Sequence, residues 1–204
     1  NSNKVLYDFF QTGEYDRNRE FVLTTSPSMD ILISSNLERL IYHIAGDSAE
    51  ADAGFMRKLS EEGKYQITDE MRERLGDFAG GYATEEETAE EIRERYEKDG
   101  YVIDPHTAVA SAVYGKYRKE TGDATRTVIV STASPFKFET SVMKALGKPH
   151  ELPDLELADA LSAVSGVAVP QAVAGLRGAE IRHKTVCDKD EKAMAAEVEK
   201  FLGM

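Results

Sequence analysis

Tryptophan is absent from the 204 residues, Cys187 is the single cysteine, and no apolar run approaches the roughly 20 residues that would carry a helix across a bilayer. The lone cysteine excludes an internal disulfide framework, and no charged-then-apolar leader precedes the first helix-like stretch, so a reducing, cytoplasmic setting is expected. Basic residues are also short. Lys and Arg number 25 against 37 Asp and Glu, a formal charge of −12, and that field repels a phosphate backbone or an anionic lipid surface. Nucleic acid and membrane are therefore not expected partners. What is present, 41% hydrophobic and 30% charged residues, suits one ordinary globular domain or two small ones with a hydrophobic core. The chain opens at Asn1 without an initiator Met, and a processed chain or a piece of a longer one is the expectation.

Helical periodicity dominates. Ile33, Leu37, Leu40, Ile41 and Ile44 fall on one face, with Pro27 and Asp30 as start signals and Gly46 as a stop, which predicts a helix over residues 28–45. A second helix opens at Thr84, where Glu87 three residues on completes a capping box. Its stripe is Ala89, Ile92 and Tyr96, and its acids, Glu85, Glu86, Glu90, Glu91 and Glu94, read as a solvated face. Asp104-Pro105 starts a third, because Asp caps free amides and Pro at the first position has no donor to lose. The small residues that follow, Ala108, Ala110, Ser111 and Ala112, allow close backbone approach. In the tail, Met194, Val198, Phe201 and Leu202 share one side and predict a docking helix.

Thr127-Val128-Ile129-Val130 predicts a strand, continuous in apolar character and so buried on both faces, as in a parallel sheet flanked by helices. It runs into Ser131-Thr132-Ala133-Ser134-Pro135 and a helical pattern at Phe138, Val142, Met143 and Leu146. Phe21-Val22-Leu23 and residues 181–186 are weaker strand candidates. Gly147, Pro149 and Pro153 mark a break, so the chain divides into residues 1–150 and 151–204.

Chemistry in an open α/β sheet gathers at the carboxyl ends of strands. Thr132 occupies such an end, where its hydroxyl is positioned to donate to a ring nitrogen or a phosphate; a helix cap is the plain alternative. His106, in the first turn of its helix, is expected neutral with one hydrogen bond, because the positive end of the helix dipole disfavours imidazolium; packing is its plain alternative. His183 and Cys187 do not converge on a metal site, and Lys184 and Lys189 alone do not activate Cys187 as a nucleophile. No dinucleotide, Walker, serine-elbow or zinc-protease pattern occurs.

Four segments in order carry a family resemblance: Asn1-Ser2-Asn3-Lys4-Val5-Leu6-Tyr7-Asp8-Phe9; Ser26-Pro27-Ser28-Met29-Asp30-Ile31 with Ser35-Asn36-Leu37-Glu38-Arg39; Tyr101-Val102-Ile103-Asp104-Pro105-His106-Thr107-Ala108-Val109-Ala110; and Ser131-Thr132-Ala133-Ser134-Pro135-Phe136-Lys137-Phe138. Together they resemble the carboxyl-terminal part of threonine synthase over residues 1–146. The resemblance implies a pyridoxal 5'-phosphate lyase of threonine biosynthesis with the tryptophan-synthase-like fold (fold type II). Such an enzyme converts O-phospho-L-homoserine and water to L-threonine and phosphate by β,γ-replacement. The family's Schiff-base lysine and its phosphate loop lie upstream of the segment matching Asn1, so residues 1–150 are the carboxyl-terminal part of the cofactor-binding region, and the amino-terminal part of the same enzyme is the expected partner. The chain alone is expected inactive. The resemblance assigns Thr132 to the threonine that faces the pyridine nitrogen. It places Asn1 and Asn3 near the cofactor, with turn capping as the alternative, and His106 near the active-site side, as a candidate for substrate binding. Many members have His where Ser134 stands, so Ser134 receives no role. Two rival readings remain: a related pyridoxal-phosphate dehydratase or lyase, and a cofactor-free acidic binding domain whose surface is the helix from Thr84.

Overall fold

A computed structural model describes residues 1–182 and 184–204. They form two compact units, residues 1–169 and 170–204. In the first, α1 (Val5–Thr12) turns through Gly13 into β1 (Glu14–Asp16). Gly13 adopts φ 74°, a left-handed backbone that L side chains rarely take, so the turn favours glycine there. After a 3-10 turn at Pro27–Met29 come α2 (Ser35–Ile44), α3 (Ala49–Glu61), β2 (Lys64–Gln66) and α4 (Asp69–Glu73). β2 pairs antiparallel with β1, placing Tyr15 opposite Tyr65. Their rings stack at 5.5 Å and 8°, inside a core that includes Phe9, Ile41, Ile44, Leu59 and Met71.

The helix predicted over residues 28–45 forms only from Ser35. Asp30, read as its start signal, instead receives the side chains of Asn1, Asn3 and Thr24. The Tyr15 hydroxyl donates to the Leu32 carbonyl and accepts from the Ser34 amide, which holds residues 32–34 out of the helix, and Ser34 then caps it. Side-chain hydrogen bonding to the backbone has displaced a helical start.

The second half of this unit contains α5 (Glu85–Asp99), α6 (Pro105–Thr121), α7 (Glu139–Ala145) and α8 (Asp154–Ser165). The Thr84–Glu87 capping box and the Asp104 cap both form. Ile92, Ala108, Val109, Val142, Met143, Leu157 and Leu161 are buried. Not all the acids of α5 are solvated as expected. Glu85 accepts from the Thr25 amide at 2.9 Å, and Glu91 accepts from the Ser111 hydroxyl of α6 at 2.6 Å. Leu157, Ala158 and Leu161 of α8 are buried within the first unit.

Residues 127–130 do not pair as a strand, and the antiparallel β1–β2 pair is the sheet among the described residues, where a mainly parallel one was expected. Val128 and Val130 are 82% and 70% exposed. A strand needs a neighbouring backbone to receive its ladder, and none of the described residues supplies one here. Residues 21–23 also lack strand pairing; of residues 181–186, His183 lies outside the described residues and the others form no strand.

The second unit holds α9 (Gln171–Ala174) and α10 (Glu191–Leu202), the latter capped by Asp190. Met194, Val198 and Leu202 of α10 are exposed. No helix among the described residues is long and apolar enough to cross a membrane.

Candidate functional site

The α6 amino terminus is the centre of the site. Asp104, 1% exposed, caps the helix through Oδ1, which accepts from the His106 amide at 2.9 Å. The same oxygen lies 3.0 Å from His106 Nδ1. On the far side of the ring, Nε2 accepts from the Ser28 amide at 3.1 Å, which assigns the ring proton to Nδ1 and a neutral imidazole. His106 thus makes two hydrogen bonds where one was expected. It is 4% exposed, and its ring lies 4.8 Å from that of Phe138. Both ring nitrogens are engaged by protein groups.

Asp104 Oδ2 accepts from the Thr107 hydroxyl, whose oxygen lies 3.0 Å from Ser131 Oγ. The Thr107 proton is committed to the carboxylate, so Ser131 is the donor in that contact. Ser131 and Thr132 are exposed at the end of the Thr127–Val130 run. A cleft of about 440 Å³, lined by Tyr101, Ile103, Thr107, Ile129 and Ser131 among others, opens beside Ser131. Among the described residues no hydrogen bond engages the Thr132 hydroxyl.

Asn1 and Asn3 converge on Asp30. Asp30 Oδ1 accepts from Asn1 Nδ2 at 2.7 Å, from Asn3 Nδ2 at 3.1 Å and from the Thr24 hydroxyl at 2.7 Å; Oδ2 accepts from the Thr24 amide at 2.8 Å. Ser28, held by His106, lies in the same turn. Asn1, Asn3 and Thr132 therefore belong to two loops that share the α6 terminus as their common support.

Sequence reasoning read Asp104 as a cap only and missed Thr107, Ser131 and Ser28. A signal existed: Thr107 places a hydroxyl beside a buried cap, a combination a cap alone does not need. Among the described residues no group of three or more His, Cys, Asp or Glu gathers to hold a metal. Cys187 is exposed, and its candidate co-ligand His183 lies outside the described residues. Another cleft, of about 680 Å³ and lined by Tyr7, Gly81, Tyr82, Tyr114 and Lys116 among others, lies elsewhere.

An unbonded hydroxyl on an exposed loop is the donor set a pyridine nitrogen, which only accepts, would need. A pyridoxal ring fits Thr132 on that ground.

The sequence model of the family described as "Threonine synthase, C-terminal" matches residues 107–198. Threonine synthase-like 1 of Macaca fascicularis is 33% identical over 208 residues, covering 99% of this chain and 28% of that protein. Threonine synthase of Saccharomyces cerevisiae is 35% identical over 161 residues, covering 72% of this chain and 31% of that one. Among solved structures, yeast threonine synthase superposes with a TM-score of 0.78 at 28% identity, covering 100% of this chain and 41% of that chain. Threonine synthase of Brucella melitensis, solved with pyridoxal phosphate bound, superposes at 0.66 and 35% identity, covering 81% and 34%. The chain spans no more than about a third of the length of these curated relatives, at 28% and 31%.

Proposed function

We propose that this chain, a carboxyl-terminal, threonine synthase-like portion, forms one wall of a pyridoxal 5'-phosphate pocket in a larger enzyme. That enzyme converts O-phospho-L-homoserine and water to L-threonine and phosphate. The observation that carries the reading is the Thr132 hydroxyl, exposed and without a protein partner among the described residues, on a loop whose neighbouring residue, Ser131, is hydrogen-bonded to the Thr107 hydroxyl, which donates to the buried Asp104 carboxylate.

When bound, the cofactor supplies an electron sink for negative charge developing on an amino-acid substrate. Thr132 would donate to its ring nitrogen and, being neutral, would not keep a proton there as a carboxylate would, a setting that would favour elimination and replacement over transamination. Asn1 and Asn3 act near the cofactor by holding the turn at residues 26–30, and His106 acts by fixing the Ser28 amide. The lysine that bonds the cofactor and the loop that binds its phosphate belong to the amino-terminal part of the parent protein. That part also supplies the partners for residues 127–130 in a mainly parallel, helix-flanked sheet, and the exposure of Val128 and Val130 supports this completion. The acidic balance and lone cysteine support a cytoplasmic setting.

The test uses the full-length parent protein loaded with pyridoxal phosphate. It should release phosphate from O-phospho-L-homoserine, and borohydride reduction should leave one stoichiometric adduct on a lysine outside residues 1–204. An adduct on a lysine of this chain, or no cofactor binding at all, would overturn the reading, the latter in favour of an acidic binding domain. Turnover of serine or threonine without phosphate release would identify a dehydratase instead.

A further inference from the structure

We propose that Asp104 is the positioning residue that fixes Thr132 relative to the loop held by Asn1 and Asn3, an assignment that rests on the cofactor reading above. A helix cap needs one oxygen accepting from the free amides of the first turn. Oδ1 does this, accepting from the amides of His106 at 2.9 Å and Thr107 at 3.4 Å. The remaining contacts exceed that requirement and lead in two directions.

One arm runs from Oδ2 to the Thr107 hydroxyl and on to Ser131 Oγ, the residue before Thr132. Its polarity is fixed, because an ionised carboxylate only accepts: Thr107 donates inward, and Ser131 donates to Thr107. The other arm runs from Oδ1 through the Nδ1 proton of His106 to Nε2, which accepts from the Ser28 amide at 3.1 Å. Ser28 lies in the 3-10 turn Pro27–Met29, directly before the Asp30 carboxylate that receives Asn1 and Asn3. Each loop is thus one intervening side chain away from the same buried carboxylate. Asp104 is 1% exposed and His106 4%, so water does not compete for either arm at its root. Hydrogen bonds to a charged group are stronger than neutral ones, and each of these is anchored on one.

A plain cap and a positioning residue make different demands on the outer links. If Asp104 only starts α6, removal of the Thr107 hydroxyl affects folding and leaves the cofactor unmoved. If it positions the loop, the cofactor reports the loss. The experiment measures the absorption spectrum and dissociation constant of pyridoxal phosphate in the full-length parent protein, together with the melting midpoint of the cofactor-free form. Thr107→Val deletes the bridging hydroxyl and Thr107→Ser restores it; Ser131→Ala, at an exposed position, cuts the same arm without burying a new group. Thr132→Val is the direct reporter of the cofactor contact. Thr107→Val and Ser131→Ala should each weaken cofactor affinity about three- to tenfold, the range of one net hydrogen bond, and shift the absorption maximum. Thr107→Ser should return both towards the parent values. If Thr132→Val perturbs the cofactor while Ser131→Ala and Thr107→Val do not, or if Thr107→Ser fails to restore what Thr107→Val lost, the positioning role is wrong and the cofactor reading stands. If Thr132→Val is also silent, both fall together.

Discussion

The Asn3 side chain pairs with both backbone polar groups of Val22: Nδ2 donates to the carbonyl at 2.8 Å and Oδ1 accepts from the amide at 3.0 Å. The amide group thus takes the place of a neighbouring strand for one residue of an otherwise unladdered segment. Asn3→Ala should cost about 1–3 kcal/mol for the lost bonds to Val22 and Asp30, read by urea unfolding. Asn3→Asp should cost more than alanine, because an oxygen replaces Nδ2 against both the Val22 carbonyl and Asp30 Oδ1. An aspartate variant as stable as the parent would show that these contacts do not hold the segment.

Gly81 is required by its neighbour on α6. A Cβ there would lie 2.4 Å from Val113 Cγ1, and a β-branched side chain on a helix has little rotamer freedom with which to move away. Gly81→Ala should lower stability by about 1–3 kcal/mol. The double variant Gly81→Ala/Val113→Ala should lose less than the sum of the two single changes in the same denaturant titration, since the smaller residue removes the clash.

Glu87 closes the capping box by accepting from the Thr84 amide at 2.8 Å, and accepts from Lys116 at 2.7 Å with the same oxygen. The Lys116 ammonium, then the Thr84 amide, hold its carboxyl below the usual carboxylate value. A carboxylate depressed in the folded state contributes stability above its unfolded value and loses it as pH falls through the folded one. Melting midpoints followed from neutral pH down to about pH 3 should therefore decline less steeply in Glu87→Gln than in the parent. Thr84→Ala, which removes the other half of the box, should cost about 1 kcal/mol.

Burial, then the adjacent Tyr15 phenol, pushes the Tyr65 hydroxyl above its ordinary value, and burial does the same for Tyr15. A raised phenol keeps its full contribution below the unfolded value, about pH 10, and loses it as pH rises further, because the unfolded chain releases the proton first. Tyr65→Phe should keep the stacked pair and lessen the alkaline loss of stability. Tyr15→Phe should instead destabilise at neutral pH by about 1–2 kcal/mol, since its hydroxyl serves both Leu32 and Ser34. Thermal melts from about pH 7 to 11 separate the two.

Local rules made the helices legible. The Thr84–Glu87 box, the Asp104 cap and the buried face of Leu37, Ile41 and Ile44 each depend on residues within a turn of one another, and each formed as read. The start of α2 was not legible, because Asp30 is claimed by Asn1, Asn3 and Thr24, partners that helix-start signals do not take into account. Residues 127–130 have a strand's composition but no strand pairing, because pairing is a property of two segments and the partner is not among the described residues. At the site, Thr132 drew notice from its place after the Thr127–Val130 run and His106 from its helical turn, and Asn1 and Asn3 through the family resemblance. The network joining their loops did not, since Thr107 and Ser131 are far apart in the chain and each alone looks like an ordinary polar residue.

The most direct measurement is pyridoxal phosphate binding by the full-length parent protein with Thr132→Val beside Thr132→Ser. Loss of the hydroxyl should weaken binding or slow turnover by the equivalent of about 0.5–3 kcal/mol with little change in melting, and serine should recover most of it. Equal affinity, spectrum and rate in the valine variant would contradict the assignment of Thr132 to the cofactor ring.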